Sequence, residues 1–223
     1  GSRWQCAQYK GHSEHGWRVM SADILIVRTG AANLASVVAA FERLDRSVKI
    51  TDNAFAVRNA RRVVLPGVGA FAPVARRLGD NGLGEAVRHR VDQDLPTLAV
   101  CLGLHLLALG SDEGPGVDGL GLLEVTASRF PESVVVPQLG WNSIEASPEC
   151  RLLRDGAAYF ANSYCLTDRP PGWQVAWSDH GGPFVAAAER GTVLGCQFHP
   201  ELSGSWGEEL IERWLRCGEG VAC

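Results

Sequence analysis

Apolar positions along the chain fall into two rhythms. Short unbroken apolar runs read as strands buried on both faces: Asp23 to Arg28, Ser47 to Thr51, Arg61 to Leu65 and Thr97 to Val100. Between them apolar residues recur every three or four positions, as a helix with one buried stripe requires. Leu34, Val37, Val38, Phe41 and Leu44 form one such stripe, with Asn33 as its expected N-cap. Further helices are expected over Phe71–Leu78, Leu83–Gln93 and Leu102–Leu109. Pro66-Gly67 and Gly110 punctuate the pattern, and a loop rich in Gly, Asp and Pro follows over Ser111–Gly121. The second half predicts short strands at Leu122–Thr126, Val134–Val136, Ala158–Ala161, Gln174–Trp177, Phe184–Ala188 and Thr192–Phe198, then an amphipathic helix over Trp206–Arg216. Alternating strands and helices joined by brief turns predict an α/β fold. Its central sheet is largely parallel (mixed), with helices on both faces.

Composition narrows the class. The chain has 223 residues, enough for a sizeable core, and a net charge of -4, which gives no electrostatic case for nucleic acid. No apolar run reaches the roughly 18 residues of a membrane helix. No signal peptide is read at the N-terminus, where residues 1–19 lack an apolar core segment. These residues are expected to be an added or natural extension, with Met20 as the native start and residues 20–223 as one domain. The seven cysteines are odd in number and show no C-x-x-C or Cys/His metal spacing. A reducing, cytoplasmic setting is expected, with no metal and no cofactor.

Two runs carry chemistry. In Thr97-Leu98-Ala99-Val100-Cys101-Leu102-Gly103, Cys101 sits between a strand and a helix. A sharp turn there would expose the thiol, and helix N–H groups would favour thiolate. By itself this run also fits a packing cysteine. The second run, Gln197-Phe198-His199-Pro200-Glu201, ends an apolar strand. In extended chain His199 and Glu201 share a side, so Glu201 is expected to accept one ring N–H and fix the tautomer. Both runs end strands of a sheet whose sites form at carboxyl ends.

Together, Cys101-Leu102-Gly103 and Gln197-Phe198-His199-Pro200-Glu201 resemble the class I (triad) glutamine amidotransferases. Val64-Leu65-Pro66-Gly67-Val68-Gly69-Ala70-Phe71 is similar to the oxyanion strand of the glutaminase subunits of imidazole glycerol phosphate synthase. Asn33-Leu34-Ala35-Ser36-Val37, Leu139-Gly140-Trp141-Asn142 and Asn162-Ser163-Tyr164 extend that likeness. The resemblance implies Cys101 as nucleophile, His199 as general acid/base and Glu201 as its orienting group. It implies oxyanion donors at Val68, Gly69 and Leu102. Glutamine contacts are implied at Gly67, Gly69, His105, Glu113, Ser163 and Tyr164. It further implies a heterodimer with a (β/α)8 cyclase subunit of histidine biosynthesis, docked through Asn33, Trp141, Asn142, Tyr159 and Leu202, and glutaminase activity that rises when the partner binds.

Several positions depart from that family's pattern. His105 stands where glutamine is usual, Gln138 and Asn162 where histidines are usual, Leu202 where lysine is usual, and Ala31-Ala32 where the first turn is glycine-rich. Such changes touch substrate recognition and the partner face. They keep open a paralogue that supplies ammonia to a specialised-metabolite or nucleoside synthase. A non-catalytic regulatory subunit is the alternative of another class, and the intact Cys101, His199 and Glu201 argue against it.

Overall fold

The protein's computed structural model describes residues 22–30 and 33–217. Residues 1–19, read above as an extension, together with Met20, Ala31-Ala32 and Cys223, lie outside the described residues. The apolar runs of the first half become β1 (Ile24–Val27), β2 (Val48–Thr51), β3 (Val63–Gly67) and β4 (Thr97–Cys101). The second half supplies β5 (Ala108–Ser111), β6 (Leu123–Arg129), β7 (Gln138–Ala146), β8 (Gly156–Asn162), β9 (Tyr164–Leu166), β10 (Gln174–Asp179), β11 (Pro183–Arg190) and β12 (Val193–Cys196). Nine of these form one mixed sheet in the order β2-β1-β3-β4-β12-β11-β10-β7-β8. From β2 to β12 neighbours run parallel, and from β12 to β8 antiparallel. β5, β6 and β9 form a small second sheet.

Two cores explain the apolar runs. In β1, Ile24 and Ile26 face a core shared with Phe41, Leu210, Ile211 and Trp214. Leu25 and Val27 face the other side, against Phe71, Val74, Leu78, Leu83 and Val87. Thus α1 (Leu34–Arg43) and α6 (Gly204–Arg216) cover one face of the sheet. The other face is covered by α2 (Ala54–Asn59), α3 (Phe71–Asp80), α4 (Leu83–Asp92) and α5 (Leu102–Leu107). A strand covered on both faces has no polar side, so alternation disappears. No helix among the described residues is long and apolar enough to cross a membrane.

Four local expectations are corrected. Val134–Val136 is not a strand: Val134 N–H closes a turn on Pro131 O, and Pro137, which has no N–H, precedes the true strand at Gln138–Ala146. The helix begun at Leu102 stops at Leu107 rather than Leu109. The Leu107 and Ala108 carbonyls accept from Leu122 and Gly121 N–H, so the chain leaves the helix and pairs as β5. Asn33 sits at the start of α1, but its amide donates to Ser36 Oγ at 2.9 Å and accepts no backbone N–H. The unexpected α2 is capped by Asn53, whose Oδ1 accepts from Ala56 N–H at 2.8 Å.

Candidate active site

The parallel strands β3, β4 and β12 lie side by side and end at one edge. Their register pairs Gly67 with Cys101, and Val100 with Cys196, so the residues that follow each strand emerge together. Cys101 has φ 53° and ψ -110°, a left-handed turn outside the regular strand and helix regions. Such a conformation costs of order 1–3 kcal/mol in a non-glycine residue and persists only where surrounding structure imposes it. Gly103 is part of that imposition. A Cβ there would lie 2.1 Å from the Leu65 carbonyl oxygen, so only glycine lets the turn sit on β3.

His199 follows β12. Its N–H donates to Tyr159 O at 2.9 Å, and its carbonyl accepts from Ser203 Oγ at 2.6 Å. The Ser203 hydroxyl also accepts Tyr159 N–H at 3.0 Å, so it holds β8 and the histidine backbone to one another. Nothing in the chain's periodicity singled out Ser203. Glu201 Oε1 accepts from His199 Nδ1 at 2.8 Å. The geometric route differs from the expected one: Pro200–Leu202 is a 3-10 turn, not extended chain, and the turn swings Glu201 back under the ring. The other ring nitrogen is left for Cys101, whose Sγ lies 3.9 Å from Ala161 O and which acts electrostatically on the imidazole. Burial disfavours the imidazolium, but hydrogen bonds and charge from Cys101 and Glu201 outweigh it and push His199 up to about 10.

Three other thiols among the described residues are held protonated. Burial pushes Cys150 up to about 11, Cys165 up to about 12 and Cys196 well above the ordinary thiol value. Cysteines held protonated in apolar surroundings are poor nucleophiles.

Cys101 and His199 open on a cavity of about 280 Å³ lined by Val68, Gly69, Leu102, His105, Glu113, Ala161, Asn162, Ser163 and Tyr164. Every residue expected at the oxyanion and glutamine positions therefore lines this wall except Gly67, which packs beneath Leu102. Gly69 has φ 93°, a conformation that suits glycine. Glu113 Oε2 accepts Phe71 N–H at 2.9 Å, so this wall carboxylate is tied to the start of α3. His105 is buried, with Nε2 2.6 Å from Gln197 Oε1. Burial pushes its imidazole down to about 4, opposed in part by the Gln197 hydrogen bond. Asn162 donates to Tyr164 O at 3.0 Å and stands opposite Gln138 in the β7–β8 register. Two departures from the family's pattern are thus one cross-strand pair.

Of the residues expected to meet a partner, Tyr159 and Leu202 are hydrogen-bonded to the His199 backbone, and Trp141 packs on Tyr159. Trp141 is 60% exposed and packs edge-on against half-buried Tyr159, with ring centroids 6.5 Å apart. Leu202 is 42% and Leu139 67% exposed. Asn142 donates to Asp179 O at 2.8 Å, and Asn33 is exposed at the start of α1.

The model of the class-I glutamine amidotransferase family matches residues 25–216. Imidazole glycerol phosphate synthase subunit HisH of Symbiobacterium thermophilum is 38% identical over 87% of this chain and 94% of that protein. The HisH subunit of Deinococcus radiodurans is 39% identical over 87% of this chain and 93% of its own. The chloroplastic imidazole glycerol phosphate synthase hisHF of Arabidopsis thaliana is 35% identical, and there 86% of this chain matches only 34% of a longer protein. Among solved structures, a glutamine amidotransferase superposes with a TM-score of 0.69 at 21% identity, over 88% of this chain and 99% of that one. A second, from Thermotoga maritima, gives 0.59 at 16% identity over 88% and 81%. Those two likenesses speak for the fold. By family model and by sequence identity across most of its length, this chain belongs to the class-I glutamine amidotransferases, in the family of HisH subunits.

Proposed function

We propose that the protein is the glutaminase subunit of an imidazole glycerol phosphate synthase, hydrolysing glutamine and handing the ammonia to a cyclase subunit. The observation that carries the reading is the thiol–imidazole–carboxylate line at the carboxyl ends of two adjacent parallel strands, facing one cavity.

Chemistry follows from that line. Cys101 Sγ, as thiolate, adds to the side-chain amide carbon of glutamine. The oxyanion that forms is held by backbone N–H groups of Leu102 and the Val68–Gly69 segment. The C–N bond then breaks and its electron pair leaves with nitrogen, which takes a proton from His199 and departs as ammonia. A γ-glutamyl thioester remains on Cys101. Water attacks it, His199 takes the water's proton, and glutamate leaves as the thiolate is restored. Glu201 orients the ring throughout and balances its charge. No step needs a metal or an organic cofactor.

The partner reading rests on the exposed Trp141, Leu139 and Leu202 beside half-buried Tyr159, a surface of large apolar side chains next to the cavity. A (β/α)8 cyclase docked there as a heterodimer would receive ammonia without loss to solvent. The plant relative printed as hisHF, in which the matching region is a third of one chain, fits such a pairing. Leu202 and the Gln138–Asn162 pair favour a second reading with the same chemistry, in which the acceptor is another synthase of specialised metabolites or nucleosides.

The test is glutamate release by the chain alone and with a cyclase subunit of the histidine pathway. Turnover is expected to rise on partner binding and to vanish in Cys101→Ala. Turnover unchanged in Cys101→Ala would overturn the chemistry. Hydrolysis that no histidine-pathway cyclase stimulates would favour the second reading.

A further inference from the structure

Gln197 is fully buried, two residues before His199, and is not exposed to the cavity. Its backbone N–H donates to Ala186 O at 2.8 Å, which pins the residue between β11 and β12. Its side chain spans the space between α5 and the nucleophile. Oε1 lies 2.6 Å from His105 Nε2, and Nε2 lies 3.9 Å from Cys101 Sγ.

The direction of this chain of contacts is fixed by what each atom can do. An amide oxygen only accepts and an amide nitrogen only donates. Gln197 Oε1 therefore requires a hydrogen on His105 Nε2, and the amide N–H₂ is turned toward the sulfur. A buried imidazole kept neutral carries one ring hydrogen, and the carbonyl selects Nε2 to hold it. A thiolate gains more from a donor than a thiol does, so a buried N–H aimed at sulfur favours the charged form.

We propose that Gln197 is a further catalytic residue, whose amide N–H faces and favours the Cys101 thiolate, and that His105 is the positioning residue that orients it. The inference rests on Cys101 being the nucleophile. It gives His105 a role besides the expected glutamine contact: its Nε2 is committed to Gln197, so its loss also acts through the thiol.

Alkylation of the full-length chain by iodoacetamide, followed at Cys101 by peptide mapping from pH 5 to 10, tests this without glutamine or a partner. The titratable groups around the sulfur are His199 with Glu201 behind it, His105, Glu113 and Tyr164. All remain in Gln197→Leu, and all but the one replaced remain in the His105 variants. Gln197→Leu is expected to move the alkylation midpoint up by about one pH unit, so that the rate at lower pH falls about tenfold. His105→Leu moves it the same way by less. His105→Gln, which can still donate to Oε1, stays near the parent. Should Gln197→Leu fail to fold, the two His105 variants decide the matter, because they leave Gln197 in place. Coincident midpoints for Gln197→Leu and parent, or for His105→Leu and His105→Gln, overturn the inference. If Cys101 in the parent alkylates no faster than Cys150, Cys165 and Cys196, the nucleophile reading itself fails; a reactive Cys101 indifferent to residue 197 refutes only the role of Gln197.

Discussion

The two halves of the nine-stranded sheet solve different problems with the same hydrogen bonds. From β2 to β12 the strands are parallel, and β1, β3, β4 and β12 are buried along their whole lengths. Their carboxyl ends can hold Cys101 and His199 in conformations that a looser frame would relax. From β11 to β8 the strands are antiparallel, and the last two expose one face, with Leu139 and Trp141 outward. The first half is a vise for the proposed chemistry and the second offers a surface. Substitutions in the two halves should therefore fail in different measurements.

The largest effect is expected where the vise meets the imidazole. Glu201→Gln keeps the size of the side chain but no longer balances the imidazolium or demands Nδ1–H, so turnover should fall about a thousandfold. In the parent His199 stays protonated up to about 10, so the alkaline limb of kcat/KM should lie there, and in Glu201→Gln it should move to lower pH. A pH–rate series checks both, and affinity for the partner should be unchanged.

Acid stability tests the other buried histidine. His105 has a folded value of about 4 against 6.5 when free. As pH falls from 6.5 toward 4 the unfolded chain takes up a proton that the folded chain refuses, so stability declines through that window. The full effect is about 3 kcal/mol. Urea unfolding of parent and His105→Gln across the window should show the parent losing this stability relative to the variant. Parallel curves would mean the site is less closed than its burial implies.

A smaller effect belongs to the exposed half. Trp141→Ala should weaken partner binding by about 2 kcal/mol, as interface anchors do. Its alkylation profile at Cys101 and its melting temperature should match the parent. Leu202 at the same surface should make association less sensitive to salt than in a lysine-bearing relative. A titration with unchanged affinity would remove Trp141 from the docking face, and loss of folding would make it a structural residue.

The same contrast decides what could be read from the sequence. Parallel strands buried on both faces announce themselves as apolar runs, and Cys101, His199 and Glu201 carry chemistry that few spacings bring together. The exposed half inverts the usual code. In β7 polar Gln138 is buried while Leu139 and Trp141 face outward, so apolar-in, polar-out alternation does not mark the strand. The apolar Val134–Val136 next to it mimics a strand but is a turn, with Val135 exposed. Gln197 stands in the run that ends in Glu201 without a role of its own, and Ser203 stands in no motif, because a buried amide or hydroxyl leaves no periodic trace; their roles arise from contacts with Cys101, His105, Tyr159 and His199 that only the fold creates.

The central claim is that bond breaking happens at Cys101, at the carboxyl edge of the parallel half. The most direct measurement is to quench the chain, together with the cyclase subunit proposed as its partner, in acid during turnover of glutamine and to map the γ-glutamyl group. The account predicts a thioester on Cys101 that is absent in Cys101→Ala. A γ-glutamyl group on any other residue, or steady glutamate release from Cys101→Ala, would contradict it.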